Sequence, residues 1–347
     1  MTALLSAFTL TWLLLALLRR VAYPLGLLDH PDQERKLHDT PTPVVGGLAI
    51  FLGWGCGWWL LVDGPIVRGE AALFIGMGAL ALMGVMDDRY NLSVRFRLLA
   101  QVLVALMLDL WGGVGLHHFG DLLGFGVIEL APLGTLFTVI CVVGVINALN
   151  MVDGVDGVCG AVTLVAMVVM ALLSAMGGRQ QLMLLAWLFV VTLLPFLYYN
   201  MRTPWRPRAA LFMGDAGSMV LGYALAWFAM MLTQQEPAVT TPGTVLWVVL
   251  VPLFDLFGSV FRRLLAGEGA LQGDRRHLHH LLGHLGVPVG GVAPLLAGVG
   301  ILAGGVPLLC AWLQVKGPAP FFLVVALFLI YLKFIRHYWR DQRNKKM

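Results

Sequence analysis

Five aspartates stand where an otherwise greasy chain meets water. Asp87 and Asp88 are adjacent, Asp153 and Asp156 are three apart, and Asp215 lies between two glycines; each borders an apolar run. Two neighbouring carboxylates at a helix end repel each other, and the C-terminal pole of a helix is unfavourable to anions. A cation must offset that cost. Arg89 could do so as a solvated pair, whereas Mg²⁺, which prefers oxygen ligands, or a protonated substrate group would give the pair a function.

The surrounding strings point the same way. Asn147-Ala148-Leu149-Asn150-Met151-Val152-Asp153-Gly154-Val155-Asp156-Gly157 supplies two amides and two carboxylates, and its glycines permit a tightly turned backbone. One helical turn can aim Asp153 and Asp156 at a common point; an N-cap would explain only one of the four polar side chains. In Phe212-Met213-Gly214-Asp215-Ala216-Gly217-Ser218 the acid is either the N-cap of the next helix or part of a phosphate and metal platform at its start. Lys36 and His38, in Arg35-Lys36-Leu37-His38, could hold a phosphate. So could Arg275, Arg276, His277, His279 and His280 of Asp274-Arg275-Arg276-His277-Leu278-His279-His280. His277 and His280 are spaced to share a helical face, but no cysteine pattern accompanies them as in a zinc site. Asp255 falls inside an apolar run, where an ionised side chain is expensive; it is expected behind the site, or paired with Arg262.

What must position these residues is a membrane-embedded helical frame. Of 347 residues, 59% are hydrophobic and only 12% charged, against roughly a quarter charged in ordinary globular chains. That excludes a soluble domain. A net charge of +4 is spread over many loops, so no nucleic-acid partner is expected. Cys56, Cys141, Cys159 and Cys310 form no C-x-x-C pattern, and neither zinc nor a disulfide framework is indicated.

Hydropathy predicts an all-α polytopic protein with about eleven spans. The first seven run roughly over Thr2–Leu18, Val45–Val62, Ala71–Met86, Arg97–Leu116, Leu133–Leu149, Val158–Met176 and Gln181–Tyr199. Ala216–Thr233, Thr244–Phe261, Gly291–Leu313 and Ala319–Tyr338 complete the set. Twenty of the 23 Lys and Arg residues fall on one face, which should be cytoplasmic. The N-terminus is then periplasmic and the C-terminus cytoplasmic. Arg19 and Arg20 follow the first apolar run, so it is expected to be a retained span and not a cleaved leader. The whole chain, 1–347, is expected to form one integral membrane catalytic domain. Its active site is expected from the cytoplasmic loops at about 19–44, 87–97, 150–157, 199–215 and 262–290. His117–Pro132 leaves room for a small periplasmic hairpin, and the Gly-rich runs suggest close helix packing.

Taken together, Arg35–Gly47, Gly84–Arg97 (GVMDDRYNLSVRFR), Asn147–Gly157, Phe212–Ser218 and Asp274–Leu282 resemble the polyprenyl-phosphate N-acetylhexosamine-1-phosphate transferase family, and its bacterial undecaprenyl-phosphate members in particular. The similarity runs from about Val21 to the C-terminus. His-Leu-His-His at 277–280 departs from the three consecutive histidines of the phospho-muramoyl-pentapeptide branch.

The resemblance implies transfer of N-acetylglucosamine-1-phosphate from UDP-N-acetylglucosamine to undecaprenyl phosphate, releasing UMP, with Mg²⁺ or Mn²⁺, at the bacterial inner membrane. It would open lipid-linked surface glycan synthesis, and a homodimer is compatible with it. By the same resemblance Asp215 is a metal ligand, with Asp153 in the metal or nucleotide environment beside Asp156. Asp87 and Asp88 act on the acceptor phosphate. Phe212 stacks on uracil, and His277, His279 and His280 contact the donor diphosphate. Asn147 and Asn150 join the substrate set, and Asn200, with Asp255, supports it from behind. Two rivals remain: the same reaction on another UDP-N-acetylhexosamine, and a secondary transporter, which would place carboxylates near the bilayer midplane.

Overall fold

The computed structural model describes residues 1–29, 41–265 and 277–344. Lys36, His38, Arg275 and Arg276 therefore lie outside the described residues. The described chain is largely helical. Its helices are α1 (Thr2–Leu25), α2 (Gly46–Leu61), α3 (Arg68–Tyr90), α4 (Val94–Leu110), α5 (Gly134–Val152), α6 (Val158–Met176) and α7 (Gln180–Asn200). They continue with α8 (Gly214–Thr233), α9 (Pro242–Val245), α10 (Leu250–Leu265), α11 (Leu278–His284), α12 (Val289–Trp312) and α13 (Ala319–Asn344). Two short strands, β1 (Leu28–Asp29) and β2 (Thr42–Pro43), pair antiparallel.

Each of the eleven apolar segments contains helix, but among the described residues eight helices are long and apolar enough to cross a membrane: α1, α3, α5, α6, α7, α8, α12 and α13. The shorter α2 has 16 residues and α4 has 17. The segment Thr244–Phe261 is not one helix. It divides into α9 and α10, and Pro252, which lacks an N–H, falls in the first turn of α10, where none is needed. Backbone bonds from Phe119 to Ile128, Ile128 to Gly120 and Leu130 to His117 pair the two sides of the 117–130 loop as a small hairpin.

At the centre stands α8, packed on α3, α5 and α2. Its Tyr223 hydroxyl donates to the Ala72 carbonyl and its Trp227 Nε1 to that of Gly69, both at 3.0 Å, so these large rings are buried with their polar tips satisfied. Gly84 on α3 faces the start of α8 so closely that a Cβ there would lie 2.2 Å from the Ala216 backbone. Other glycines divide by context: Gly53 and Gly57 meet α1, whereas Gly298 and Gly305 on α12 face open space.

The start of α8 is also tied to the segment before α2. Phe212 N donates to Pro43 O at 2.8 Å, and Gly46 N and Gly47 N donate to Phe212 O and Met213 O at 3.0 and 2.9 Å. Residues more than 160 positions apart in sequence thereby share one short stretch of backbone pairing.

Candidate active site

The acids at the end of α3 and at the start of α8 are joined by direct bonds. Asp87 is buried; its Oδ1 accepts Leu92 N at 2.7 Å and its Oδ2 pairs with Arg97 Nη1 at 2.8 Å. The same Nη1 lies 3.5 Å from Asp215 Oδ2, and Asn150 Nδ2 donates to Asp215 Oδ1 at 2.5 Å and to Ser218 Oγ at 3.0 Å. Thus α3, α4, α5 and α8 each contribute a side chain to one cluster.

Asp88 does something the sequence did not announce. Its Oδ1 accepts the Asp215 N–H at 3.0 Å, and its carboxylate also engages the Ala216 amide. Met213 occupies the N-cap of α8 and offers no side-chain cap, so the unpaired amides of the first turn are satisfied by an acid from another helix. Asp215 itself sits inside the first turn and is not the cap. Gly214 adopts φ +75°, and a Cβ there would strike Val44 and Asp88. A side chain would be excluded twice over, by backbone conformation and by space.

Asp153 follows the last residue of α5. It retains an open face toward solvent, yet protein atoms crowd it on the other sides. Burial pushes its carboxyl well above the usual carboxylate range, and Asp215, Asp88 and Asp156 push it further in that order. Asp156 is turned another way: its Oδ2 accepts Arg202 Nε at 2.6 Å and Ala209 N at 3.3 Å. The pair three apart therefore does not converge on one point. Asn200 is buried and bridges two stretches, accepting Gly157 N at 2.7 Å and donating to Leu211 O at 2.9 Å. Asn147 donates to Gln101 Oε1 and to Val143 O, away from the acids. Phe212 is half-buried at the head of the site.

The histidines form a second wall. Asp255, 1% exposed, receives Leu278 N at 2.6 Å on Oδ1 and faces His277 Nδ1 at 3.2 Å on Oδ2. His277 is the N-cap of α11 and not a member of the helix, so it does not share a helical face with His280; its ring stacks instead on His279 at 5.9 Å. The His279 ring lies over Gly154, beside Asp153. Burial, then the neighbouring His280, lower its pKa to about 4, and the imidazole is neutral at pH 7. A cavity of about 290 Å³ opens between His279, His280 and His284 on one side and Val155, Val287 and Val292 on the other.

Within the cluster itself four carboxylates gather about the Arg97 guanidinium, an excess of negative charge that a bound cation would offset. No three His, Cys, Asp or Glu groups among them stand as a ready-made metal cage. Magnesium does not require one: it keeps several waters and binds through one or two carboxylates plus substrate phosphate. The all-oxygen donor set of Asp153, Asp215 and their neighbours fits that ion. Sequence reasoning overlooked Arg97, Gln101, Arg202 and Ser218. Arg97 could have been found, since it closes the string that opens with Asp87.

Acids from distant segments thus meet at one end of a helical membrane protein. The chain belongs to glycosyl transferase family 4, whose profile matches residues 71–233, and within it to the polyprenyl-phosphate N-acetylhexosamine-1-phosphate transferases. It is 32% identical to the undecaprenyl-phosphate alpha-N-acetylglucosaminyl 1-phosphate transferase of Haemophilus influenzae, over 99% of this chain and 96% of the relative. Proteins of the same description from Escherichia coli O157:H7 (32%, 99% and 92%) and Pasteurella multocida (33%, 98% and 95%) are similarly alike.

Proposed function

We propose that this transferase moves N-acetylglucosamine-1-phosphate from UDP-N-acetylglucosamine to undecaprenyl phosphate, releasing UMP, as the first membrane step of a surface glycan. The observation that carries this reading is the convergence of Asp87, Asp88, Asp153 and Asp215 from three distant stretches at one end of the helices. The proposed topology has eleven crossings, with the N-terminus periplasmic and this acidic end facing the cytoplasm at the inner membrane. A charged nucleotide donor then arrives from the cytosol and a lipid-borne acceptor from the bilayer.

An acceptor phosphate oxygen attacks the donor β-phosphorus in line, and the bond to the UMP oxygen breaks. Both substrates are anionic, so positioning and charge compensation supply much of the rate. Asp153 and Asp215 would hold Mg²⁺ or Mn²⁺, which neutralises the donor diphosphate. Arg97 lies close enough to Asp87 and Asp215 to fix both carboxylates before substrate arrives. Asp87 or Asp88 takes the last proton of the acceptor phosphate. That proton is mostly absent at pH 7, the second phosphate pKa being about 6. Their larger task is geometric, as the capping of α8 by Asp88 suggests. His277, His279 and His280 face the donor diphosphate, and Phe212 its base.

The test is UMP release by purified protein given polyprenyl phosphate, Mg²⁺ and a panel of UDP-N-acetylhexosamines, with the lipid product weighed by mass spectrometry. Product from the glucosamine donor supports the reading, and preference for another epimer replaces that donor. Absence of UMP, with solute flux in vesicles, makes the protein a transporter. A phosphorylated enzyme trapped with donor alone would replace direct displacement by a covalent route.

A further inference from the structure

Arg202 belongs to none of the sequence strings singled out above. It lies two residues past α7, on the loop that leads to Phe212 and Asp215. Its Nε donates to Asp156 Oδ2 at 2.6 Å, and the side chains of the pair are only 24% and 10% exposed. Ala209 N reaches the same oxygen at 3.3 Å, from the far limb of the loop. One carboxylate oxygen thus gathers both limbs. The other, Oδ1, takes no hydrogen bond among the described residues.

Two further contacts make this a built arrangement. Gly157, next to Asp156, donates to Asn200, which donates in turn to Leu211. The turn at 153–157 and the loop at 200–211 are therefore stitched at two places. The Arg202 Cβ stands 3.7 Å from the position a Cβ would take at Gly290, which wedges the arginine between that turn and the start of α12. A charge-assisted bond in so enclosed a place fixes orientation more firmly than a surface pair would.

We propose that Arg202 is a positioning residue: it turns Asp156 so that one oxygen is held by protein while Oδ1 is presented to the nucleotide end of the donor, and it fixes the loop that carries Phe212. The proposal rests on the transferase reading. It gives Asp156 a task in donor binding, separate from the acid cluster, and predicts a loss in KM more than in kcat.

The experiment compares full-length wild type, Arg202→Met, Arg202→Lys, Asp156→Asn and the double variant Arg202→Met/Asp156→Asn, each monodisperse in detergent, by UMP release against donor concentration. Arg202→Met is expected to raise the donor KM about tenfold with kcat within about threefold, a coupling typical of contacting charged residues. Arg202→Lys should recover most of that loss. The double variant should be no worse than the poorer single one, because both substitutions remove the same interaction. The proposal is overturned if Arg202→Met behaves as wild type, if it lowers kcat at unchanged KM, if lysine recovers nothing, or if the two losses multiply. Should Arg202→Met fail to fold, Arg202→Gln takes its place in the same cycle. Wild type that releases no UMP overturns the transferase reading instead, so the two failures are distinguishable.

Discussion

The acid cluster and the histidine wall face each other across one site but are held in place by different means. Asp88 and Asp215 ride on α3 and α8, two long helices that touch backbone to backbone at Gly84. The histidines ride on α11, seven residues long, joined to its neighbour through one carboxylate at Asp255 and through packing of its apolar residues. The first arrangement cannot shift without parting the core of the bundle. The second can be adjusted by a single substitution. On the proposed reaction, this division supplies fixed charge where phosphorus is attacked and an adaptable wall on the side of the donor.

The comparison breaks most visibly at Asp215. Asp215→Asn keeps an oxygen for Asn150 but removes the charge, and UMP release is expected to fall about a thousandfold, the scale for losing a centre of transition-state charge stabilisation. Membrane levels of the protein should hold. Near-normal turnover would remove the acid cluster from the chemistry.

Next comes the pH response of the histidine wall. With a folded pKa of about 4 against about 6.5 unfolded, His279 is neutral in both states above pH 6.5. Between pH 6.5 and 4 only the unfolded chain takes the proton, so stability falls as pH falls across that window, by up to about 3 kcal/mol. Thermal unfolding of wild type against His279→Gln should show that slope in the first and lose it in the second; parallel profiles would mean the imidazole is not held neutral.

The helix crossing should answer substitution more strongly than the short helix does. Gly84→Val forces α3 from α8 and is expected to cost about 1–3 kcal/mol of stability by overpacking. Gly283→Ala on α11, where nothing lies within 4 Å, should be neutral or slightly stabilising. Equal effects in a thermal melt would erase the contrast. A milder loss of function is expected at Asp255→Asn than at Asp215→Asn. The amide oxygen still accepts Leu278 N but no longer carries charge toward His277, so the donor KM should rise about tenfold, roughly 1.4 kcal/mol. A collapse of kcat there would place the histidines in the chemistry itself.

Much of this was readable beforehand, for identifiable reasons. Long apolar runs declare their own helices, because an unpaired backbone is too costly in lipid. The five strings placed Asp87, Asp88, Asp153 and Asp215 near one another because each sits at an apolar boundary. What escaped depends on partners distant in sequence. Asp88 caps a helix that begins 126 residues later, and nothing local distinguishes that duty from metal binding. Asp156 and Asp153 share a spacing that suggests one target, yet Arg202 draws Asp156 aside. The break before α10 carried a local sign in Pro252, masked by the hydropathy around it.

The contact at Gly84 has a consequence for how such an enzyme can change over generations. Where a helix faces open space, as at Gly298 and Gly305, a new side chain can be added without moving a neighbour. At the point where two backbones touch, even one added methyl has nowhere to go. A larger residue at that crossing requires a matching shift of the facing helix, so the two can change there only as a pair.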